Sequence, residues 1–286
     1  MKIVETVASG LRSLDVSVLN GVFVAPDSKR IENHTLSQIS QKYNLVINGN
    51  FNVWQRGTSF SSAGYVSDRF KNTSATEIIR EENDVPIGSK YALKSTATTT
   101  IRQYIEDGEK LINGREVTVS FMLKGGCSID YADANGSSKF SSNAWEKFSH
   151  TFVAEDVNNL GGIYASFLDF SLDAGTMITQ IKMEFGSVAT DFYCKGYGFD
   201  LLLCQRFYER NNDLRRLRAS RNIGSTTYSQ IQVSYKVEKR VAPTVSCNLN
   251  LTPRYPYDVQ NEFGFEHTHN TDEEFLLRSW TADAEI

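Results

Sequence analysis

Along much of the chain, apolar and polar residues alternate with a period of two. Val117, Val119, Phe121 and Leu123 alternate with Glu116, Thr118, Ser120 and Lys124. That spacing gives a strand one buried and one wetted face. Ile181, Met183 and Phe185 repeat the pattern against Gln180, Lys182 and Glu184, and a strand over 145–153 sets Phe148 and Phe152 on a shared face. The run Ile163 to Leu168 is apolar on both faces and predicts a central strand,. Asn113-Gly114, Gly125-Gly126, Asn135-Gly136 and Gly161-Gly162 read as turns between these segments,. No βαβ rhythm appears. The pattern predicts a mainly β protein built as an antiparallel β-sandwich of jelly-roll type.

The two ends read differently. In residues 1–42, Val16, Val18, Val22 and Val24 surround an Asn20-Gly21 turn signal and predict a short hairpin,. Thr35 to Gln38 forms a capping box ahead of Leu36, Ile39 and Tyr43 at helical spacing,. Such small elements need a partner surface. Two readings fit them: a decoration packed on the main domain, or an arm for attachment or oligomerisation. After the sandwich, assigned to 43–205, a helix capped by Asp200 is expected, with Leu203 and Phe207 four apart,. The polar stretch 211–225 reads as a loop or a frayed helical end. Residues 206–286 form a small C-terminal β region, with strands over 230–237, 245–251 and 273–280.

Composition narrows the function. Thirteen Tyr and 17 Phe suit sheet faces and interfaces,. The net charge of -4 gives no general nucleic-acid affinity,. No apolar run approaches the roughly 18 residues of a membrane helix. The first ten residues lack the pattern of a secretory leader, so synthesis in a cytoplasm is expected,. Cys127, Cys194, Cys204 and Cys247 form no CxxC pair; Cys204 and Cys247 read as small buried hydrophobes,.

Two stretches carry a family resemblance. One is Asn44-Leu45-Val46-Ile47-Asn48-Gly49-Asn50-Phe51, with Trp54-Gln55-Arg56-Gly57 and Tyr65-Val66-Ser67-Asp68-Arg69-Phe70. The other is Ile181 to Gly186 with Leu203-Cys204-Gln205-Arg206-Phe207-Tyr208. Together they resemble the opening and close of a jelly-roll domain, similar to carbohydrate-binding modules, found in phage tail-fibre, tail-spike and virion-associated proteins. The final Trp280 to Glu285 resembles the ends of such proteins. The resemblance implies a non-catalytic virion component of a phage tail or head fibre. It further implies a homotrimer that displays the sandwich toward a host-surface polysaccharide and meets other virion proteins through residues 1–42. The chain lacks a long fibrous shaft, which favours a short tip, an adaptor or a head-associated fibre.

The residues offer several chemistries. Trp54 is either a stacking platform for a sugar ring, with Arg56 as a polar partner, or part of the core edge, with Asp68 paired to Arg56 or Arg69. Asn48, Gly49 and Asn50 suit a tight turn. Tyr131 and Asn135 lie in a hairpin loop at a sandwich end, a common binding surface. Asp130, Asp133 and Asn135 miss the spacing of a calcium loop. A glycan depolymerase would need two facing carboxylates; Asp169 with Asp173, or Glu106 with Asp107, are available, though each pair suits turns. No cofactor is expected. His150 reads as a packed imidazole. His267 and His269 resemble a local device of some phage fibre tips, where such pairs on three copies would give six metal ligands, and are weak metal candidates; otherwise they read as surface histidines near Glu266,. Arg206, Arg210, Arg215, Arg216, Arg218 and Arg221 form the strongest charge run. The expected role of the first five is inter-subunit salt links, ahead of a plain solvated helix and of phosphate contacts. A structural adaptor stands as the alternative function and a depolymerase as the third.

Overall fold

The computed structural model describes residues 44–106, 114–131, 138–153, 167–212, 215–217, 221–223, 226–249, 254–269 and 275–285, with four short N-terminal strands. These four are β1 (Lys2–Val7), β2 (Gly10–Asp15), β3 (Val18–Leu19) and β4 (Val22–Phe23). β1 pairs with β2, and Val18–Leu19 pairs with Val22–Phe23, the hairpin expected around Asn20-Gly21. The helix expected after Thr35 lies outside the described residues.

Ten strands among the described residues build the central domain. They are β5 (Ser59–Phe60), β6 (Gly64–Tyr65), β7 (Lys71–Asn72), β8 (Ile78–Glu81), β9 (Ala92–Ser95), β10 (Thr99–Tyr104), β11 (Glu116–Tyr131), β12 (Ser138–Val153), β13 (Phe167–Leu172) and β14 (Met177–Phe185). Their order is β5-β8-β9-β14-β11-β13-β10-β7-β6, with β12 also on β11. β11 uses one edge twice. Val117 to Lys124 pairs with β14, and Cys127 to Tyr131 pairs with β13. β12 runs antiparallel to β11 past both sections. The sheet curls at this handover, and its two halves close over one core. Val119, Phe121 and Leu123 meet Ile78, Leu93 and Ile178 from one half and Ile101, Leu168 and Phe170 from the other.

Gly125-Gly126 marks the bend inside β11, where the sequence pattern predicted a turn. A side chain at Gly125, which holds φ 120, would fall 2.7 Å from the Thr176 Cα. The short link between β13 and β14 is tied there: the Asp173 N–H donates to the Gly126 carbonyl (2.8 Å) and the Thr176 hydroxyl to the same oxygen (2.9 Å). The missing side chains let the long strand bend without ending.

A second tie holds β12 near its middle. The Trp145 Nε1–H donates to Asp84 Oδ1 (2.9 Å), and Lys124 Nζ donates to Asp84 Oδ2 (2.6 Å). The Lys124 bond, then the indole bond, hold the Asp84 carboxyl below its usual range,. With a lowered folded pKa, the tie is present above the ordinary midpoint and is lost as pH falls through the folded one. The Trp145 indole proton resonance is therefore expected to titrate below pH 3.8, the ordinary Asp midpoint. A midpoint at or above that value would contradict the tie.

The helix α1 (Tyr197–Gln205) follows Gly196, so it begins three residues before the predicted Asp200 cap. Asp200 lies in its first turn, buried, and Phe207 is buried past its end. The C-terminal strands are β15 (Tyr208–Asn211), β16 (Arg215–Leu217), β17 (Arg221–Ile223), β18 (Thr226–Ser234), β19 (Thr244–Leu249), β20 (Arg254–Asp258), β21 (Glu262–His269) and β22 (Phe275–Asp283). β22 pairs with β15, β16 and β19; β17, β18, β21 and β20 form a second sheet. β16 and β17 fall where a loop or a frayed helical end was expected. Pairing with β22 and β18 satisfies their backbone groups in spite of the polar composition,. Tyr235, Phe263 and Trp280 pack as a ring cluster with centroids 5.2–5.8 Å apart. Beside it, Lys239 Nζ is wholly buried and donates to Glu209 Oε2 (2.6 Å), the Gln205 carbonyl (2.6 Å) and the Val237 carbonyl (3.1 Å).

Candidate functional site: an aromatic cleft beside a buried ion-pair lock

The opening motif is pinned by its own amides. The Asn48 side chain accepts from the Val53 N–H (2.9 Å) and donates to the Val53 carbonyl (2.9 Å) and the Asp68 carbonyl (3.1 Å). Asn48 (φ 60), Phe51 (φ 53) and Arg69 (φ 73) adopt the left-handed region. Dense hydrogen bonding around non-glycine residues holds that conformation. Phe51 is buried against Phe70. Trp54 is half-buried: it packs on Phe60 and donates from Nε1 to the Phe51 carbonyl (2.5 Å).

Arg56, Asp68 and Arg69 join the end of the chain. Arg56 meets Asp283 at 3.2 Å and both Asp68 and Glu285 at 3.8 Å, and its guanidinium lies 3.5 Å from the Tyr208 ring centroid. Arg69 pairs with Glu285, donates to the Tyr104 carbonyl (2.6 Å) and lies 3.5 Å from the Phe207 ring centroid. The Arg69 and Glu285 side chains are 1% and 2% exposed, so this is an interior pair. Asp68 accepts from the Gln55 N–H (2.6 Å) and Nε2 (2.8 Å). Burial raises its pKa most; Arg56 and Gln55 oppose that rise, and Glu285 adds to it. Arg56 thus links the opening motif to the C-terminus.

Trp54 also lines a cleft of about 350 Å³, shared with Asn52, Gln55, Arg80, Lys90, Tyr91 and Tyr197. Each wall has a separate origin. Asn52, Trp54 and Gln55 come from the motif that Asn48 pins. Arg80 belongs to β8, and Lys90 and Tyr91 precede β9, its antiparallel neighbour. Tyr197 opens α1 and is 58% exposed. Ring faces flanked by amides and cations can pack on sugar C–H groups and bond their hydroxyls.

The other predicted residues disperse. Tyr131 ends β11, and its side chain, like Asn135, lies outside the described residues. Arg206 pairs within the chain with Glu106 (2.8 Å). Arg210 donates to Asn212 Oδ1 (3.1 Å) and the Gln55 carbonyl (3.4 Å). Arg215 and Arg216 sit on β16 opposite Leu277 and Leu276, with side chains outside the described residues, as is Arg218 altogether. His267 and His269 lie on β21, and their side chains are likewise outside. Among the described residues no group of three His, Cys, Asp or Glu could hold a metal ion. Asp169 accepts two bonds of 2.7 Å from Arg102. His150 stacks on Phe152, as a packed imidazole would. Tyr91, Tyr197, Arg80, Lys90 and Asn52 were not nominated from sequence, because the cleft joins them only through the fold.

The chain matches no protein-family model and no curated protein sequence. Among solved structures it is similar to the enzymatically active domain of bacteriophage CBA120 tailspike protein 4, at 16% identity and TM-score 0.34 over 51% of this chain and 22% of that one. It is also similar to the CBM22-1 xylan-binding domain of Paenibacillus barcinonensis Xyn10C, at 10% identity and TM-score 0.32 over 46% of this chain and 94% of that one. The tandem CBM22-1-CBM22-2 domain of the same protein matches at 8% identity and TM-score 0.32, over 80% of this chain and 89% of that one. The chain thus spans about a fifth of the tailspike domain's length. No helix among the described residues is long and apolar enough to cross a membrane.

Proposed function

We propose that this chain is a non-catalytic glycan-binding component of a phage virion, with the Trp54 cleft as its binding site. The observation that carries this reading is the meeting of Trp54, Tyr91 and Tyr197 with two amides and two cations around one cleft,. The resemblance of the opening and closing motifs to phage fibre domains supports the virion setting. In this reading residues 1–42 attach to the particle and three copies assemble. Light scattering would then give three times the chain mass of 32.2 kDa.

Purified protein is expected to bind extracted bacterial envelope polysaccharide without releasing reducing ends. Tyr197→Ala removes a largely exposed ring and is expected to weaken that binding about tenfold, roughly 1.4 kcal/mol. Its melting temperature should stay unchanged. Full binding by this variant would remove the cleft from the function, and multiple-turnover release of sugar would replace a binding role by a catalytic one.

One observation favours a structural adaptor as the second reading. Tyr193, Phe199 and Leu202 on and beside α1 are each at least half exposed, while Asp200 and Gln205 of the helix are buried. An apolar outward face suits contact with another protein.

A further inference from the structure

We propose that the Trp54 cleft selects acidic glycans, those bearing uronate carboxylates, over neutral ones; this rests on the glycan-binding reading above. The charge of the cleft is one-sided. Its lining holds Arg80 and Lys90 and no carboxylate. Of the nearby acids, Glu81 and Asp200 are engaged elsewhere, and Glu82 pairs with one edge of Arg80. Glu81 accepts the backbone N–H groups of Glu82 and Asn83 and meets Lys94 at 3.6 Å. Asp200 is buried and accepts from Asn52 Nδ2 at 3.3 Å. Glu82 takes Arg80 Nε (2.9 Å) and Nη2, which leaves Arg80 Nη1 without a partner among the described residues. Lys90 has no carboxylate partner among those residues.

Tyr91 holds both cations in place. The Arg80 guanidinium lies 4.3 Å and the Lys90 ammonium 4.9 Å from its ring centroid. A cation kept against a ring face is pre-positioned and still offers N–H donors outward. Tyr91 therefore serves as a base for charge, and Trp54 and Tyr197 remain as the stacking surfaces. A neutral sugar gains the stacking and leaves Lys90 and the Arg80 Nη1 to water. A uronate gains the same stacking plus charge-assisted bonds, which are about twice as strong as neutral ones.

The test uses pairs of polymers that differ only in charge: polygalacturonate, alginate and hyaluronate, each beside its methyl ester. By affinity electrophoresis and calorimetry, the full chain is expected to bind at least one acid about tenfold or more tighter than its ester. That preference should shrink with added salt. The paired substitution Arg80→Gln with Lys90→Gln should abolish the preference, so that acid and ester bind alike. Equal binding of acid and ester, or a preference that survives the paired substitution, overturns the selectivity and leaves the glycan-binding reading standing. Binding to no polymer of the set, with Tyr197→Ala indistinguishable from the parent, overturns both.

Discussion

Arg69→Met is expected to destabilise the folded chain by about 3–5 kcal/mol, the usual loss when one member of a buried pair is removed. The substitution takes the nearest cation from the buried Glu285 and leaves it Arg56 at 3.8 Å. It also removes the donor to the Tyr104 carbonyl and the contact with the Phe207 ring. Arg69→Gly serves as a comparison. It relieves the left-handed φ of 73, which stabilises, and deletes the same ion pair, which does not,. If the pair dominates, both variants lose stability in urea titration. Arg69→Met with Glu285→Leu should recover part of the loss, because no lone charge then remains buried. A loss below about 1 kcal/mol for Arg69→Met would mean that the C-terminus does not close on the sandwich as described.

Gly49→Ala is expected to be the most damaging single methyl addition in the opening motif. Its Cβ would fall 2.0 Å from the Ile181 carbonyl oxygen and 3.0 Å from the carbonyl carbon. Both are backbone atoms of β14, so no side chain can turn away. The same contact carries the Ile181 N–H bond to the Gly49 carbonyl (2.7 Å) and the Asn44 Nδ2 bond to the Ile181 carbonyl (2.9 Å). Overpacking of this kind costs about 1–3 kcal/mol where the structure can adjust. Here the adjustment also breaks two hydrogen bonds, each worth about 1 kcal/mol. A loss of about 3 kcal/mol or more is expected, read as a melting temperature lower by roughly 5 °C or more. Gly198→Ala on α1 is the control, because a Cβ there meets nothing within 4 Å and alanine favours helix,. A normal melting temperature for Gly49→Ala would mean that the motif does not sit against β14.

The role of Gly49 shows where sequence reading stops. Asn48-Gly49-Asn50 was legible as a turn, and a turn is there. The glycine, however, answers to Ile181, far along the chain. Gly125-Gly126 was legible as punctuation, yet it bends a strand, because whether a glycine pair ends or curves a strand depends on what crosses it. Strands β5 to β9, absent from the periodicity, are two to four residues long, too short for alternation to register, and the inward positions of β10 include the polar Thr99 and Gln103. The Trp54 ring was nominated from sequence; the residues that share its cleft were not. They lie on four separate stretches, at 52–55, 80, 90–91 and 197.

Residue order by itself determined that this protein is mainly β, which faces of its longer strands are hidden, and that its opening motif is a hydrogen-bonded turn rich in aromatic and charged groups. Those properties are local, because alternation and turn chemistry act over a few neighbours. Only the tertiary structure decided that Arg56 and Arg69 are consumed by the C-terminal carboxylates, and that Arg80, Lys90 and Tyr197 come to stand around Trp54. The physical reason is that ion pairing and cleft formation depend on distances set by how the sheet curls, and distant residues carry no mark in sequence of the partner the curl brings them.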